Sequence, residues 1–298
     1  MPIRAAALCM GSLLLTGTAS AAEEQGRVAV ISAFAPEWSM LVEALEDSRD
    51  DTLNGVTFVT GRLAGQEVVL FLSGISMVNA AMTTQLALDH YDIDAIVFSG
   101  IAGGVDPALD IGDVVVPAQW GSYLEALLAR ETPEGWMPLP FVPTDFDNYG
   151  MIFPRAVEVM RDGLDAPERK FWFPADPGLL DTARAVAAEM DFETCIEGAC
   201  LGAPPEVVMG GNGVSGMAFL DNADFRDYVA RTFEAQVVDM ESAAVAQVAW
   251  ANQVPFIAFR SLSDLAGGGA GQNEMGTFFA LAAGNSATLV TAFLAAMD

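Results

Sequence analysis

The sequence predicts an α/β fold: one domain over residues 22–298, with a mixed, mostly parallel twisted central sheet flanked by helices. Short apolar segments rich in Val and Ile, each bounded by Gly or Pro, alternate with segments of helical spacing. Strands separated by helices favour a largely parallel sheet covered on both faces. The chain has 298 residues, 52% of them hydrophobic, which is enough for one well-packed core.

The first residues predict a secretory signal peptide over 1–21. Met1–Arg4 carries a positive charge, Ala5–Leu15 is apolar, and Ala19–Ala21 has the small residues of a cleavage site. The apolar stretch is shorter than the roughly 20 residues of a membrane-spanning helix. We therefore expect an exported protein, periplasmic or secreted, whose mature chain begins near Ala22.

The first half of the domain alternates strands and helices. Arg27–Ala33 is β-branched and apolar, and Pro36 begins a helix that ends near Leu45. Glycines at Gly74 and Gly100–Gly104 predict loops where the backbone can approach a ligand closely. The other predicted elements are strands at Val56–Thr60, Glu67–Leu72, Ala95–Ser99 and Asp113–Pro117, and a helix at Met77–His90.

The second half begins with a region that has no dominant period. Prolines and aromatic residues are dense over 120–173, which predicts a long excursion over the surface. The elements expected after it are helices at Pro177–Met190, Asn222–Phe233, Glu241–Ala251 and Met275–Met297, and strands at Pro205–Val208, Gln236–Asp239 and Pro255–Phe259.

Charge and composition exclude several classes of function. The net charge is −27 with 13 Lys and Arg, so neither nucleic acid nor an anionic membrane is an expected partner. The single histidine, His90, stands at a polar helix end, which excludes His-based triads and zinc sites; we expect no metal and no cofactor. Cys195 and Cys200 lie close together and, in an oxidising compartment, favour a local disulfide over a metal pair.

Charged residues stand where predicted strands end. Glu37 follows the first strand, Glu241 follows Val237–Met240, and Arg260 and Asp264 follow Pro255–Phe259. The carboxyl ends of parallel strands share one edge of a sheet, so these side chains can converge on a ligand. Taken singly, each acid can equally be a helix cap, and Arg260 a plain salt-bridge partner.

Six segments together carry a resemblance to a known family. Their order resembles that of the nucleoside phosphorylase superfamily, and most of all its methylthioadenosine/S-adenosylhomocysteine nucleosidase branch. The match spans Val28–Met297 apart from 120–173. The segments are Val28–Glu37, Ser73–Ala80, Ser99–Gly104 with Ile111–Pro117, Val214–Phe219, Asp239–Glu241 and Arg260–Asp264.

The resemblance implies catalytic roles for the charged residues. Asp264 matches the acid that protonates the purine at N7, which needs a carboxyl with a raised pKa. Glu37 matches the base that takes a proton from the attacking water, and Arg260 the residue that helps to hold this water. Glu241 matches the acceptor of the ribose hydroxyls.

The resemblance also implies a set of substrate contacts. Phe219 matches the aromatic residue that stacks on the base, and Leu220 the residue whose backbone binds it. Ile101 stands where these proteins usually carry Ser or Thr. The remaining matches are Met240 beneath the ribose and, around an apolar 5′ substituent, Phe34, Met275 and Phe279. A Met and Phe stripe at helical spacing can equally be core.

The resulting functional hypothesis is hydrolysis of the N-glycosidic bond of a purine nucleoside, such as methylthioadenosine or S-adenosylhomocysteine, with release of the free base. A noncatalytic nucleoside-binding or storage protein of the same fold is the alternative, although a mere binder needs no acid and base together. Phosphorolysis is disfavoured because no arginine accompanies Ser73–Gly74 or Gly100–Ile101 to bind phosphate.

The helix at Met77–Leu88 bears on assembly. It carries more apolar surface than one face of a single sheet requires. Because the nucleosidase branch consists of dimers, the resemblance implies a homodimer with the pocket near the subunit boundary. The alternative is that the excursion at 120–173 covers this helix.

Overall fold

The computed structural model describes residues 26–297, so the predicted signal peptide over 1–21 lies outside the described residues. The strands of the first half are β1 Arg27–Ser32, β2 Glu46–Leu53, β3 Val56–Leu63, β4 Gln66–Leu72, β5 Ile93–Gly104, β6 Val114–Val116, β7 Gln119–Ser122, β8 Ala126–Leu128, β9 Arg130–Thr132 and β10 Gly135–Met137. The later strands are β11 Ile152–Pro154, β12 Val157–Val159, β13 Glu168–Lys170, β14 Trp172–Pro174, β15 Cys195–Ile196, β16 Ala199–Cys200, β17 Val207–Met209, β18 Asn212–Ser215, β19 Ala235–Asp239 and β20 Phe256–Asp264.

The described helices are α1 Ala35–Glu43, α2 Met77–His90, α3 Pro177–Ala187, α4 Ala223–Phe233, α5 Ser242–Asn252 and α6 Met275–Ala295. Two of them begin at a side-chain cap. Asp176 accepts a hydrogen bond from the Leu179 N–H at the start of α3, and Asn222 accepts one from the Phe225 N–H at the start of α4. These caps explain why both helices begin within one residue of the predicted position.

One twelve-stranded mixed sheet organises the domain and confirms the predicted fold class. Its order is β14-β7-β18-β19-β5-β1-β4-β3-β2, with β20 beside β5 and β6, and β17 beside β6. β1 runs parallel to β4 and β5, and β20 runs parallel to β5. β19, however, runs antiparallel to β5. Helices cover both faces, and the central strands are buried on both sides.

The terminal helix α6 belongs to the core of this domain. By length and composition alone it could cross a membrane, but 56% of its most apolar window is buried inside the structure. It packs mainly against β20 and β5, with α1 and α3 beside it, and Leu289, Val290 and Phe293 are fully buried. The apolar character of α6 is therefore accounted for by packing against the sheet.

Two strands at the centre of the sheet are longer than predicted. β5 continues through the glycines at Gly100–Gly104, which were expected to form a loop, and β20 continues through Arg260 to Asp264. These two strands pair in parallel register as far as Gly103. The charged residues of β20 therefore lie within a fully buried strand rather than in the loop after it.

The region 120–173 is only partly the surface excursion that was predicted. Trp120 lies in β7 and is completely buried, and β7 pairs with both β18 and β14 of the main sheet. Between these strands, short antiparallel pairs form the surface part: β8 with β11, β9 with β10, and β12 with β13. The prediction was wrong at both ends of the region because aromatic residues there, Trp120 and Phe173, fill the core beside α5.

The structure confirms a disulfide between Cys195 and Cys200, which joins β15 to β16 in a small hairpin. Sequence reasoning had missed this hairpin. It had also missed β2, whose sequence is almost entirely polar, and β18, which contains a glycine.

Candidate active site

The cavity lies at the ends of β1, β5, β19 and β20 and measures about 820 Å³ including its open mouth. Its enclosed part holds about 240 Å³, a little below the roughly 300–1,000 Å³ of typical small-molecule sites. The lining is mostly apolar with a few carboxyl groups. The lining residues are Ala33, Phe34, Glu37, Ile75, Ile101, Ala102, Gly103, Ala218, Phe219, Leu220, Val238, Asp239, Met240, Glu241, Ser263, Asp264 and Met275.

Glu37 occupies the first turn of α1 and is 2% exposed. Its Oε2 accepts hydrogen bonds from the backbone N–H groups of Ala33, at 2.7 Å, and Phe34, at 3.3 Å. Its Oε1 accepts one from the Ile101 N–H at 2.9 Å. Burial raises the pKa of Glu37, and the Arg260 charge and these three donors oppose the rise. The carboxyl is thus held in one orientation and made more basic than an exposed glutamate.

Arg260 lies behind the cavity wall and is fully buried. Its Nε is 2.8 Å from Asp239 Oδ2, and Nε and Nη2 both donate to Ser242 Oγ. The guanidinium also stacks over the Phe98 ring, 3.9 Å from its centre. The remaining donor, Nη1, makes no hydrogen bond with any residue that the structure describes.

Gly100 is where Arg260 and Glu37 come close to one strand. A Cβ on Gly100 would collide with Arg260 Nη1 and would lie 2.7 Å from Glu37 Oε1. A glycine is therefore required for the backbone of β5 to pass between these two groups. One unused donor and one carboxylate acceptor consequently face the same short stretch of β5, an arrangement that can hold a small polar molecule between them.

Asp239 organises the charges beneath the cavity, and sequence reasoning had missed it. Besides its ion pair with Arg260, its Oδ1 accepts hydrogen bonds from Ser215 Oγ and from the N–H groups of Glu241 and Ser242. Asp239 thereby fixes the start of α5 and the guanidinium together. Its position two residues before Glu241 in Asp-Met-Glu was the one available clue.

Glu241 precedes α5 and is 5% exposed. Its Oε1 accepts a 2.6 Å hydrogen bond from the Ser76 N–H. Ser76 adopts φ 80° and ψ 155°, a backbone conformation found almost only for glycine. Burial, followed by the nearby Asp239 charge, raises the pKa of Glu241 to about 7, although Arg260 and the Ser76 N–H act in the opposite direction.

Asp264, the last residue of β20, is 2% exposed. Its Oδ1 accepts hydrogen bonds from the Ala266 N–H, at 2.8 Å, and from Asn273 Nδ2, at 3.3 Å. Its Oδ2 accepts one from Ser263 Oγ at 2.9 Å. Burial raises the pKa of Asp264 despite these donors, which favours the protonated carboxyl that a general acid requires.

Most of the predicted substrate contacts lie around this cavity. Five of them line it together with the acids: Phe34, Ile101, Leu220, Met240 and Met275. Phe219 also lines it, at the mouth, and is 54% exposed. Phe279 is the exception, and its predicted contact with the substrate stays a prediction. It is half-buried on α6 and does not line the cavity, because it lies one helical turn, about 6 Å, beyond Met275.

Glu37 and Asp264 converge as predicted, at the ends of strands that run parallel to β5, but Glu241 reaches the site for a different reason. Glu241 follows β19, which is antiparallel to β5, so a shared edge of parallel strands does not bring it to the site. Instead, β5 extends past the end of β1, and its residues Gly103 and Gly104 pair with β19. The length of β5 therefore places Glu241 beside Glu37 and Asp264.

Comparison with known proteins extends these observations. The family model described as the phosphorylase superfamily matches residues 27–295. The chain is 31% identical over 272 residues to a 5′-methylthioadenosine/S-adenosylhomocysteine nucleosidase of Geobacillus kaustophilus, covering 91% of this chain and 97% of that protein. It is 29% identical to the nucleosidase of the same name from Tolumonas auensis, covering 90% of this chain and 98% of the relative.

Solved structures agree with these sequence matches. The nucleosidase of the same name from Neisseria meningitidis, in complex with methylthio-immucillin-A, is 27% identical to this chain, with a TM-score of 0.69. The match covers 92% of this chain and 100% of that one. An S-adenosylhomocysteine nucleosidase from Streptococcus pyogenes, in complex with 5-methylthiotubericidin, is 26% identical with a TM-score of 0.69, covering 93% and 99% of the two chains. The order of strands and helices, the strand-end acids and these matches over nearly the whole domain lead to one conclusion: this chain belongs to the phosphorylase superfamily.

Proposed function

We propose that this protein hydrolyses the N-glycosidic bond of a purine nucleoside and releases the free base. The observation that carries the proposal is the presence of two buried carboxyls with raised pKa values, Glu37 and Asp264, in one cavity. Glu37 approaches β5 at Gly100 and Asp264 approaches it at Gly103. Three residues of a strand span about 10 Å, so the two carboxyls leave space for a sugar between them.

The chemistry follows from the charges of the reaction. As the bond between C1′ and N9 breaks, its electrons move to the base, so a proton from Asp264 to the purine N7 neutralises the leaving group. A water held between Arg260 Nη1 and Glu37 Oε1 attacks C1′ and gives its proton to Glu37. The raised pKa of each carboxyl suits its role, because Asp264 keeps its proton until it is needed and Glu37 accepts one more readily.

The sugar and its 5′ substituent would lie between these groups. Glu241, in its ionised form, accepts hydrogen bonds from ribose hydroxyls, and Met240 lies beside it. Phe34 and Met275 provide an apolar wall that suits an alkylthio group better than a charged one. The relatives are named for methylthioadenosine and S-adenosylhomocysteine. We infer that this protein takes 5′-thio derivatives of adenosine.

Phosphorolysis and simple binding are the competing functions. Phosphate is a dianion, but no Lys or Arg is among the described residues that line the cavity, and Arg260 lies behind the wall with its Nε and Nη2 engaged. Water is therefore the better nucleophile. A storage protein of this fold would gain nothing from burying Glu37 and Asp264, since burial of a carboxyl costs free energy.

The decisive experiment is incubation with methylthioadenosine, adenosine and inosine, with and without phosphate, followed by chromatography of the free base. We expect adenine from methylthioadenosine at a rate that phosphate does not change, together with a free sugar rather than a sugar 1-phosphate. A product that requires phosphate would reject the water mechanism. Tight binding of methylthioadenosine with no release of base would favour the storage protein.

We also propose that the protein works as a homodimer through the outer face of α2. Val78 and Met82 are 66% and 60% exposed, so the region 120–173 borders this helix face without covering it. The groove beside them continues to Leu124, Met217 and α5. Exposed apolar surface of this extent marks an interface. Light scattering at physiological salt tests the proposal, and a mass near one mature chain, with or without nucleoside, would reject it.

Export remains a proposal from the N-terminal sequence. The disulfide between Cys195 and Cys200 supports it, because disulfides persist in oxidising compartments. Expression of the full chain in a bacterium, followed by cell fractionation and mass spectrometry, tests it. We expect the protein outside the cytoplasm with Ala22 as its first residue, and a cytoplasmic protein that retains Met1 would contradict the proposal.

A further inference from the structure

Asn273 is a polar residue beside the cavity to which the proposed chemistry gives no role. It lies between the glycine-rich segment Ala266–Gly271 and the start of α6. Its Oδ1 accepts a hydrogen bond from the Met275 N–H at 2.9 Å. This bond fixes the orientation of the side-chain amide, because only the oxygen can accept from a backbone N–H. The Nδ2 group must therefore point the other way.

On that other side, Nδ2 meets two carboxyl groups. It donates to Asp264 Oδ1 at 3.3 Å and to Asp221 Oδ1 at 3.1 Å. Asp221 directly follows Phe219 and Leu220, which line the cavity. One amide thus connects three parts of the base pocket: the acid at the end of β20, the segment that carries the predicted stacking residue, and the start of α6.

A backbone contact supports the same connection. The Asn222 N–H donates to the Ala266 carbonyl at 3.2 Å, and a Cβ on Gly267 would collide with the Asn222 backbone N. The two segments 219–222 and 264–274 are therefore joined twice, by the side chain of Asn273 and by this backbone contact. Both glycine and asparagine are needed for this contact, glycine for the close approach and asparagine for the polar link.

The hydrogen bonds to Asp264 are unequal at its two oxygens. Oδ1 accepts two N–H donors, from Ala266 and Asn273, neither of which can accept a proton in return. Oδ2 meets only the Ser263 hydroxyl, which can either donate or accept. When Asp264 is protonated, the proton is therefore directed to Oδ2, because a proton on Oδ1 would face two N–H groups.

We propose that Asn273 is a positioning residue of the proposed nucleosidase reaction: it directs the proton of Asp264 to Oδ2 and fastens the general acid to the segment that holds the base. This inference rests on the proposed function and adds a residue to it. Asn273 does not touch the reacting atoms, so it acts through Asp264 and Asp221.

The pH dependence has a definite sign. A donor to Asp264 stabilises the ionised carboxyl and so lowers its pKa against the effect of burial. Loss of the Asn273 donor raises this pKa, and the protonated acid then persists to higher pH. The charged groups around Asp264 are Glu274 at the start of α6, Asp221 across the bridge, and Glu37, Asp239, Glu241 and Arg260 around the cavity floor.

The test compares the pH profiles of kcat and KM for methylthioadenosine between the wild-type chain and three variants. Asn273→Ser and Asn273→Asp both keep an oxygen that accepts from the Met275 N–H, so α6 can still begin correctly. Asp221→Ser breaks only the link to the base segment. Gln272→Ser is the matched control, since Gln272 is the exposed neighbour of Asn273 in the same segment.

We expect Asn273→Ser to lower kcat by about threefold to tenfold. In the plot of kcat against pH, the alkaline limb should shift to higher pH by about half a unit or more. Asn273→Asp brings a third carboxylate to the bridge and should move the limb further. Asp221→Ser should raise KM about threefold and leave the alkaline limb without an upward shift. Gln272→Ser should match the wild type.

The possible results separate the two proposals. If the wild-type chain releases no base from methylthioadenosine, adenosine or inosine, the proposed function fails. If the wild type is active and the Asn273→Ser profile superimposes on that of Gln272→Ser, with kcat and KM within twofold, the role of Asn273 is rejected. A downward shift of the alkaline limb in Asn273→Asp would reject it equally, because an added carboxylate can only raise the pKa of Asp264.

Discussion

The floor and the rim of the cavity reverse the usual pattern of burial in opposite ways. On the floor, Glu37, Arg260 and Asp239 are almost completely buried, although charged residues are normally exposed. On the rim, Ile75 and Phe219 are apolar and more than half exposed. Each region therefore lowers the stability of the folded chain, and the fold alone does not explain why this arrangement is kept.

The two regions meet their costs differently. The buried charges are compensated within the chain, by the ion pair of Arg260 with Asp239 and by backbone N–H donors to Glu37. Within residues 26–297, the exposed apolar side chains of the rim are left largely uncovered. This difference supports the proposals made above: the buried charges are held in place within one chain, and a bound substrate or the proposed second copy would cover the rim.

The largest expected effect is on the floor, at the general acid. Asp264→Asn keeps the size of the side chain but cannot give up a proton, so kcat for methylthioadenosine should fall by at least about a hundredfold. The thermal unfolding temperature should stay near that of the wild type at neutral pH. Steady-state kinetics and circular dichroism measure the two quantities. A near-normal kcat would reduce Asp264 to a structural strand-end residue.

The next effect concerns the close approach at Gly100. Gly100→Ala places a methyl group against Arg260 Nη1 and Glu37 Oε1. Because a misplacement of about 1 Å can cost roughly a hundredfold in rate, we expect kcat to fall by about ten- to a hundredfold. Gly276→Ala is the control, since a Cβ there meets nothing within 4 Å. If both variants retain full activity, Arg260 and Glu37 do not cooperate at this point.

Glu241 connects binding with stability. Glu241→Gln removes the charged acceptor of the ribose hydroxyls and should raise KM by about tenfold or more. Its pKa is raised from 4.5 to about 7 in the folded protein, so the neutral form is favoured by folding. The corresponding stability is present below pH 4.5 and is lost as the pH rises through 7.

The stability part of this prediction is separable from activity. Without substrate, the wild type should lose about 1–3 kcal/mol of unfolding free energy between pH 5 and pH 8 through this group, and Glu241→Gln should lose less. Denaturant unfolding at both pH values measures the difference. Equal losses in the two proteins would show that Glu241 titrates in the same range folded and unfolded.

The floor was partly predictable from the sequence because its acids stand at local boundaries. Glu37 follows an apolar strand and lies in the first turn of a helix, and Glu241 and Asp264 also stand at the ends of apolar segments. Hydrophobic periodicity detects such boundaries directly. The ion pair of Arg260 with Asp239 joins two strands, β19 and β20, that are not paired with each other in the sheet, and no local pattern contains that information.

Other features escaped prediction for physical reasons. The polar segment Glu46–Leu53 forms an edge strand because it pairs with β3, and an edge strand needs no apolar face. The glycines of Gly100–Gly104 suggested a loop, but they continue β5 because Arg260 and Leu262 occupy the space beside them. In both cases the partner in space, rather than the local sequence, determines the structure.

A change on the exposed outer face of α2 should affect assembly far more than chemistry. Met82→Glu adds a carboxylate to the exposed apolar face of α2 in a chain that already carries a net charge of −27. The proposed dimer should dissociate, since burial of an unpaired charge costs several kcal/mol. We expect kcat to fall by no more than a few fold. Light scattering and kinetics on the same sample test both statements, and a hundredfold loss of kcat would show that this face of α2 takes part in the chemistry.

The smallest effect is expected at Ser76, where floor and rim meet. Its backbone conformation, φ 80° and ψ 155°, costs a non-glycine residue about 1–3 kcal/mol, yet it directs the Ser76 N–H to Glu241. Ser76→Gly keeps this N–H and removes the strain, while glycine loses about 0.5–1 kcal/mol through the greater freedom of the unfolded chain.

The net expectation for Ser76→Gly is a gain of about 1 kcal/mol in unfolding free energy with kcat and KM within twofold of the wild type. Gln253→Gly is the matched control. Gln253 also has a positive φ, 59°, but in the left-handed region that other residues tolerate, so a smaller change is expected there. Denaturant unfolding of both variants decides the matter. A loss of stability in Ser76→Gly, or a rise in KM, would mean that the serine side chain itself supports the ribose site, and the strained backbone would then not be the reason for its position.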